Sequence, residues 1–186
     1  MTKPKRNRKK FLLSCCLTNI LLKLSRAEIS VSRQNIMRFL KGYAPIVSMI
    51  KDGIHHLSNA ILDTKLPSKR KRLLVKLFRE CHTCLANFCY QNENNQVILA
   101  KYKELFLSYS GLEVGQFKLL SEIHRNNKKL CEEADKTFLQ KFLDVIQTEG
   151  RQEKFLDIFE VYTQSANCCM LIYIINVGDT NAKRIL

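Results

Sequence analysis

The feature that most restricts the fold of this sequence is the recurrence of apolar residues at steps of three and four, with few helix-breaking residues between them. Only 6 glycines and 3 prolines occur among 186 residues. Such steps place side chains on one face of an α-helix, whereas a strand would alternate. The pattern therefore predicts an all-α fold rather than a β-sandwich or barrel. Its clearest run contains Leu73, Leu74, Leu77, Phe78, Cys81, Leu85, Phe88 and Cys89.

Short helices are predicted in the first third of the chain. A first helix is expected at about residues 9–25. Ser30 or Ser32 would cap a second helix, which Gly42 and Pro45 would break. The expected apolar face of this second helix comprises Ile36, Phe39 and Leu40.

A third short helix is expected to end at Asp52 and Gly53, and residues 55–62 fit either a short helix or a loop. Its apolar stripe comprises Ile46, Val47 and Ile50. Pro67 then opens the strongest predicted helix, because a proline in the first turn loses no helical hydrogen bond. The polar run at residues 91–95 is expected to end it.

Two further helices are predicted before an unusual pair of asparagines, with a turn at residues 108–111 between them. Their apolar faces comprise Val97, Leu99, Tyr102, Leu105 and Phe106, and then Val114, Phe117, Leu120 and Ile123. Asn126 and Asn127 follow, and asparagine prefers caps and turns because its side chain competes with the helix backbone. They predict either a corner satisfied by asparagine side chains or an ordinary exposed turn.

The last third predicts a cap at Asp135, a helix stop at residues 149–150, a helix at residues 154–163 and an apolar run at 169–175 that ends at Gly178. The apolar stripe after the cap comprises Phe138, Leu139, Phe142, Leu143, Val145 and Ile146. Roughly seven to nine one-sided helices must bury their faces in a bundle or an α-solenoid. No exact repeat period is visible, but an armadillo-like α-solenoid with two or three helices per unit fits.

The positive charge is concentrated at one end of the chain. Residues 1–80 contain 19 Lys or Arg against 4 Asp or Glu, although the whole chain carries only +14. Two runs dominate, Lys3–Lys10 and Ser68–Arg72. They are either solvated or attract acidic lipid, acidic protein or nucleic acid. Nucleic acid is disfavoured, because the aromatic residues lie on apolar stripes rather than on stacking platforms.

The cysteines and the apolar segments indicate a chain without disulfides or membrane spans. All eight cysteines are expected to be small apolar residues in a reducing compartment, and most lie in helical runs: Cys15, Cys16, Cys81, Cys84, Cys89, Cys131, Cys168 and Cys169. Polar residues interrupt the apolar segment that follows the first basic run, and no signal cleavage pattern follows. The apolar run at residues 168–177 is shorter than the ~20 residues that span a bilayer.

No constellation of residues predicts catalysis, a metal site or a cofactor. Cys81-His82-Thr83-Cys84 is a C-x-x-C motif, but it lacks a second ligand pair and lies on an apolar stripe. His55, His56 and His124 have no nucleophile in a recognisable arrangement, and no phosphate-binding or zinc-protease motif occurs. We therefore assign no catalytic, ligand-binding or metal residues and expect no enzyme activity.

Three segments resemble the homology domain shared by inositol trisphosphate receptors and ryanodine receptors. They are FCYQNENNQ (Phe88–Gln96), the Asn126-Asn127 corner followed by KKLC, and IQTEGRQEKFL (Ile146–Leu156). The order and spacing of these segments are closest to the central helical domain of the inositol trisphosphate receptor. Residues 32–53 fit more weakly, and the resemblance is strongest over the second half of the chain.

This resemblance implies an armadillo-like domain in the cytosolic part of a tetrameric calcium-release channel at the endoplasmic reticulum membrane. It implies a scaffold or relay role, with neighbouring channel domains or subunits as partners, and no catalysis. The domain is expected to occupy residues 11–178, between a basic arm at 1–10 and a tail at 179–186. No pore helices are recognisable, and the basic ligand cluster of the family's separate ligand-binding domain is not matched. The alternative is a freestanding adaptor that binds acidic proteins or lipids through its basic N-terminal part.

Overall fold

The computed structural model describes residues 30–133, 136–150 and 153–165. Within them the regular structure is helical and contains no β-strand. The helices are α1 (Val31–Phe39), α2 (Tyr43–Leu62), α3 (Ser68–Cys89), α4 (Glu93–Ala100), α5 (Lys103–Leu107), α6 (Gln116–His124), α7 (Lys128–Glu132), α8 (Lys136–Glu149) and α9 (Leu156–Ser165), with a 3-10 helix at Glu153–Phe155. The all-α prediction is confirmed, and the armadillo-like arrangement stays a prediction.

Several predictions lie outside the described residues. These are the helix at 9–25, the cap at Asp135, the apolar run at 169–175, the first basic run and four of the eight cysteines. The other four cysteines, Cys81, Cys84, Cys89 and Cys131, form no disulfide among the described residues and are buried, as predicted. Burial, and secondly the charge of Glu122, raises the pKa of the Cys89 thiol well above its ordinary range.

Helix α2 corrects two predicted breaks. Pro45 lies inside the first turn of α2 instead of ending α1, because the first helical N–H groups have no partner within the helix. Gly53 lies in the middle of the same helix, which continues through the ambiguous residues to Leu62. A Cβ atom at position 53 would lie 2.8 Å from Cζ of Phe78 in α3. The glycine is therefore required by close packing and does not end the helix.

The core lies around α3 and α6. Helix α3 packs against α1, α2, α4 and α6, and α6 also packs against α5, α7 and α9. The aromatic members of the core join these elements, since Phe117 of α6 meets Phe155 edge-to-face at a centroid distance of 4.9 Å. The largest buried core side chains include Phe78, Phe88, Phe106, Phe138, Phe142, Phe155 and Tyr162.

The predicted apolar face of α1 is not part of this core. Ile36, Phe39 and Leu40 are 59%, 86% and 69% exposed, and Gln34 is the buried residue of the helix. The prediction was wrong because α1 docks on α3 and α4 through hydrogen bonds of Gln34 rather than through its apolar face. The predicted helix that carries Tyr102 is also divided, since a turn at residues 101–102 separates α4 from α5.

We expect Gly53→Ala to destabilise the protein by about 1–2 kcal/mol. The new methyl group must displace the buried Phe78 ring, and this overpacking outweighs the higher helix propensity of alanine. Thermal and urea unfolding would measure the change. Gly111→Ala is the matched control, because no atom lies within 4 Å of a Cβ at that position. Equal stability of the two variants would contradict the packing role.

Candidate functional site: two amide-linked helix corners

The first corner joins α3 to α4 in three residues. Tyr90 turns out of the helix with φ −56° and ψ 118°. Gln91 is left-handed with φ 50°. Asn92 is the N-cap of α4, and its side-chain oxygen accepts the Asn95 N–H at 3.3 Å. The chain thus reverses while the first turn of α4 gains a hydrogen bond.

The second corner joins α6 to α7 with the same geometry. Arg125 has φ −57° and ψ 123°, and Asn126 is left-handed with φ 57°. Asn127 caps α7 by accepting the Leu130 N–H at 3.2 Å. The asparagine pair therefore divides two tasks, because the first tolerates positive φ and the second caps a helix. An ordinary exposed turn is contradicted, since Asn127 is only 5% exposed.

A glutamine from α1 holds the first corner. Nε2 of Gln34 donates to the carbonyls of Asn87 and Tyr90, each at 2.8 Å. Its Oε1 accepts from Nδ2 of Asn92 at 2.9 Å. One side chain therefore satisfies two carbonyls at the end of α3 and orients the cap of α4.

A glutamine from α4 holds the second corner in the same way. Nε2 of Gln96 donates to the carbonyls of Glu122 at 3.0 Å and Arg125 at 2.9 Å. Its Oε1 accepts from Nδ2 of Asn127 at 3.0 Å. The two corners therefore share their backbone path, their cap and their glutamine contacts.

The two glutamines occupy the same position in their own helices. Gln34 lies four residues after Ser30, the N-cap of α1, whose hydroxyl accepts the Arg33 N–H at 3.4 Å. Gln96 lies four residues after Asn92, the N-cap of α4. Each of these two capped helices thus carries a glutamine one turn after its cap. The glutamine of α1 holds the corner between α3 and α4, and the glutamine of α4 holds the corner between α6 and α7. We name the set of Gln34, Asn92, Gln96 and Asn127, which extends from α1 through α4 to α7, the amide ladder.

Helix α7 carries a cysteine at the position where α1 and α4 carry the glutamines. The residue four positions after Asn127 is Cys131, whose Sγ donates to the carbonyl of His124 at 3.3 Å. A thiol makes weaker and fewer hydrogen bonds than a carboxamide. Cys131 therefore contacts the end of α6, which precedes α7 along the chain. It does not hold a further corner among the described residues.

The members of the amide ladder are buried and satisfied. Gln34, Asn92, Gln96 and Asn127 are at most 7% exposed. Asn95, which is fully buried, donates to the Phe88 carbonyl at 2.8 Å. Because a buried polar group without a partner costs about 1–3 kcal/mol, each contact constrains the position of its helix.

The C-x-x-C motif is part of the core. Cys81 and Cys84 are fully buried. Nδ1 of His82 donates to the Phe78 carbonyl at 2.7 Å, so the neutral ring accepts the Tyr109 hydroxyl at Nε2, also at 2.7 Å. Burial lowers the pKa of His82 to about 4, although the bond to Phe78 raises it. Among the described residues, no group of three His, Cys, Asp or Glu side chains could hold a metal ion.

The second buried histidine is also neutral. Burial lowers the pKa of His124 to about 4, the bond to the Leu120 carbonyl raises it, and Lys103 lowers it. Its ring stacks on Phe138 with a centroid distance of 6.1 Å. The ring of Tyr162 lies closer, at a centroid distance of 5.1 Å. His124 thus fills the core between α6 and the last helices.

A cleft of about 420 Å³ lies between the turn before α6 and the start of α9. Its residues are Glu113, Gly115, Gln116, Phe117, Lys118, Glu153, Lys154 and Asp157. Nζ of Lys154 is 2.7 Å from Oε2 of Glu149 and lies over the Phe117 ring. The cleft therefore offers surface carboxylates and two lysines, of which Lys154 is already paired with Glu149.

None of the helices in residues 30–133, 136–150 and 153–165 combines the length and the apolar character needed to cross a bilayer.

A comparison with known protein families matches most of the chain to a known domain. The RIH domain of ryanodine and inositol trisphosphate receptors matches residues 17–167, which is most of the chain. The chain belongs to the RIH domain family. The resemblance seen in the sequence is therefore confirmed, and the domain associates this chain with calcium-release channels of these two types.

The glutamines of this RIH domain were not identified from the sequence. The polar run at residues 91–95 and the asparagine pair at residues 126–127 are visible in the sequence, but neither pattern indicates Gln34 or Gln96. The available signal was a cap residue followed four positions later by glutamine, which occurs at Ser30 and again at Asn92. That spacing alone does not identify the groups that the two glutamines contact.

We expect Gln96→Leu to lower the free energy of unfolding of the RIH domain by about 2–4 kcal/mol. The change leaves two buried carbonyls and the Asn127 amide without their partner. Urea unfolding of the full chain would measure it. Gln164→Leu is the control, because Gln164 is exposed and its side chain donates to Glu160, outside the ladder. Similar losses in both variants would contradict the role of the ladder.

We also expect the free energy of unfolding to fall on acidification, beginning at pH values above those at which carboxylates take up protons. The unfolded chain binds protons at the ordinary histidine pKa of 6.5, whereas His82 and His124 resist protonation until about pH 4. The stability they contribute is complete above pH 6.5 and is lost as the pH falls toward 4. Each histidine should lower the free energy of unfolding by about 2 kcal/mol between pH 8 and pH 5.

Urea unfolding at several pH values, together with an NMR titration of the imidazole rings, would measure this effect. Both rings should remain neutral at pH 5.5 in the folded RIH domain. Titration of either ring near pH 6.5 would contradict the burial argument.

Proposed function

We propose that this chain is a cytosolic helical scaffold and relay domain of an intracellular ligand-gated calcium-release channel of the inositol trisphosphate receptor type. The chain itself would contain no pore and perform no catalysis. Its partners would be neighbouring domains or subunits of a tetrameric channel at the cytosolic face of the endoplasmic reticulum membrane. The RIH family match and the amide ladder are the observations that support this proposal.

The amide ladder supports a relay role because it connects helices that are distant in sequence. Gln34 joins α1 to the end of α3 and the start of α4, and Gln96 joins α4 to the end of α6 and the start of α7. Displacing any one of these helices breaks buried hydrogen bonds to two others. Such coupled polar groups favour movement as a unit over gradual deformation.

We further propose that the capped helices mark successive units of an armadillo-like stack. Each unit would begin with a cap residue, continue with a glutamine one turn later and end at the next corner. Nearest-neighbour contacts of this kind are the basis of solenoid stability. The stack would occupy residues 11–178, with the basic arm at 1–10 and the tail at 179–186 outside it.

The described side chains support a non-catalytic role. His82 and His124 are neutral and buried in the core, where their rings do not reach solvent. In this proposal, the packed helices and the amide ladder would transmit force between neighbouring domains.

A channel that contains this RIH domain provides the functional test. We expect Gln96→Leu to reduce the ligand sensitivity of calcium release by at least about fivefold while ligand binding to the channel is retained, because coupling between sites is typically worth 5-fold or more. Calcium flux from microsomes and equilibrium ligand binding would be measured on the same preparation, at a temperature where the variant is folded.

Gly53→Ala is the control for general destabilisation, because it disturbs the packing of α2 on α3 without touching the ladder. An equal loss of ligand sensitivity in both variants would show that general destabilisation, and not the ladder, causes the effect. Failure of the tagged chain to co-purify with a pore-containing subunit, and absence of pore helices in the flanking reading frame, would together contradict the channel assignment.

A further inference from the structure

The exposed side of α3 carries a stripe of positive charge. Lys69, Arg72, Leu73 and Lys76 follow one another at steps that align them on one face of the helix. All four side chains are exposed, and Leu73 is 58% exposed. On the other side of α3, Leu74 and Val75 are half-buried and pack against the core. We call these four residues the α3 stripe.

The charge of the α3 stripe is not neutralised by the part of the chain that the structure describes. None of its three cations takes part in an ion pair or hydrogen bond there, whereas the neighbouring Lys71 donates to the Ile61 carbonyl at 2.9 Å. The nearest acidic residues along the chain, Asp63 and Glu80, lie beyond its two ends. An anionic partner would therefore gain attraction without displacing an existing ion pair.

The composition of the α3 stripe fits a lipid surface better than a protein surface. Protein interfaces are depleted in lysine and anchored by aromatic residues in pockets. The stripe has two lysines at its ends, no aromatic residue and no pocket. Long cationic side chains can follow lipid phosphates that move laterally, and an exposed leucine between them can enter the headgroup region.

The end of α2 extends this chemistry. Leu62 is 78% exposed. The bond from Lys71 to Ile61 holds the end of α2 against the first turns of α3. A second exposed leucine therefore lies at the same end of the molecule as the stripe.

We propose that the α3 stripe docks this domain on the anionic surface of a lipid bilayer. Its three cations contact headgroup phosphates, and Leu73 enters the interface between headgroups and acyl chains. No helix crosses the bilayer in this arrangement, because α3 remains packed on its buried side. The contact would orient the domain relative to the membrane, whether or not the domain acts as a relay.

The test uses the full chain and vesicles of phosphatidylcholine with or without 30% phosphatidylserine, at about 0.1 M salt, where charges within about 10 Å still interact. We expect binding only to the anionic vesicles. The triple variant Lys69→Gln, Arg72→Gln, Lys76→Gln should bind at least tenfold more weakly, and up to about a hundredfold, because each cation near an anionic surface contributes about fivefold.

Two controls separate the stripe from net charge and from exposed apolar surface in general. Lys101→Gln, Lys128→Gln, Lys129→Gln removes the same charge from exposed lysines elsewhere and should change the affinity less than twofold. Leu73→Ser should weaken vesicle binding severalfold, whereas Leu156→Ser, at a residue of similar exposure, should not.

Three results would overturn the proposal. Equal losses in the two triple variants would assign binding to net charge or to the basic run at Lys3–Lys10. Unchanged vesicle affinity in the stripe variant would show that the α3 stripe does not bind the membrane. Stripe-dependent binding to soluble polyglutamate, with no binding to anionic vesicles, would identify an acidic protein as the partner.

Discussion

The fold depends on how its buried helix ends satisfy their carbonyl groups. A helix leaves its last carbonyls without partners inside the helix, and inside a protein such groups need a donor from elsewhere. At two corners of this domain the donor is a glutamine from another helix, which also fixes the asparagine that caps the next helix. Each glutamine thereby sets the positions of three helices at once.

The shortness of the helices makes this interaction decisive. Helices α5 and α7 contain five residues each, and such lengths are not stable without tertiary contacts. Gln116 meets the same need in the turn before α6, where its Nε2 donates to the carbonyls of Ser110 at 3.0 Å and Leu112 at 2.6 Å. Side-chain amides thus hold the connections, while apolar packing around α3 and α6 supplies the driving force.

The domain separates its chemistry between an uncharged interior and an asymmetric surface. The interior keeps two histidines neutral through burial and places four cysteines where they act as apolar residues. The surface carries a row of three cations on the solvent side of α3. The proposed relay role rests on family membership and on the hydrogen-bonded corners, and the proposed membrane contact rests on this positive surface.

The sequence by itself determined the helical class, the main apolar stripes and the asparagine corner, because periodicity and turn preference are local properties of the chain. Tertiary structure decided the rest. Gln34 meets Asn92 across 58 positions and Gln96 meets Asn127 across 31, so no local pattern shows these partners. The space beside Phe78 decided that Gly53 continues a helix, and hydrogen bonding by Gln34 decided that the apolar face of α1 points outward. Both outcomes depend on which distant atoms fill the space around a residue, and the local sequence does not record that.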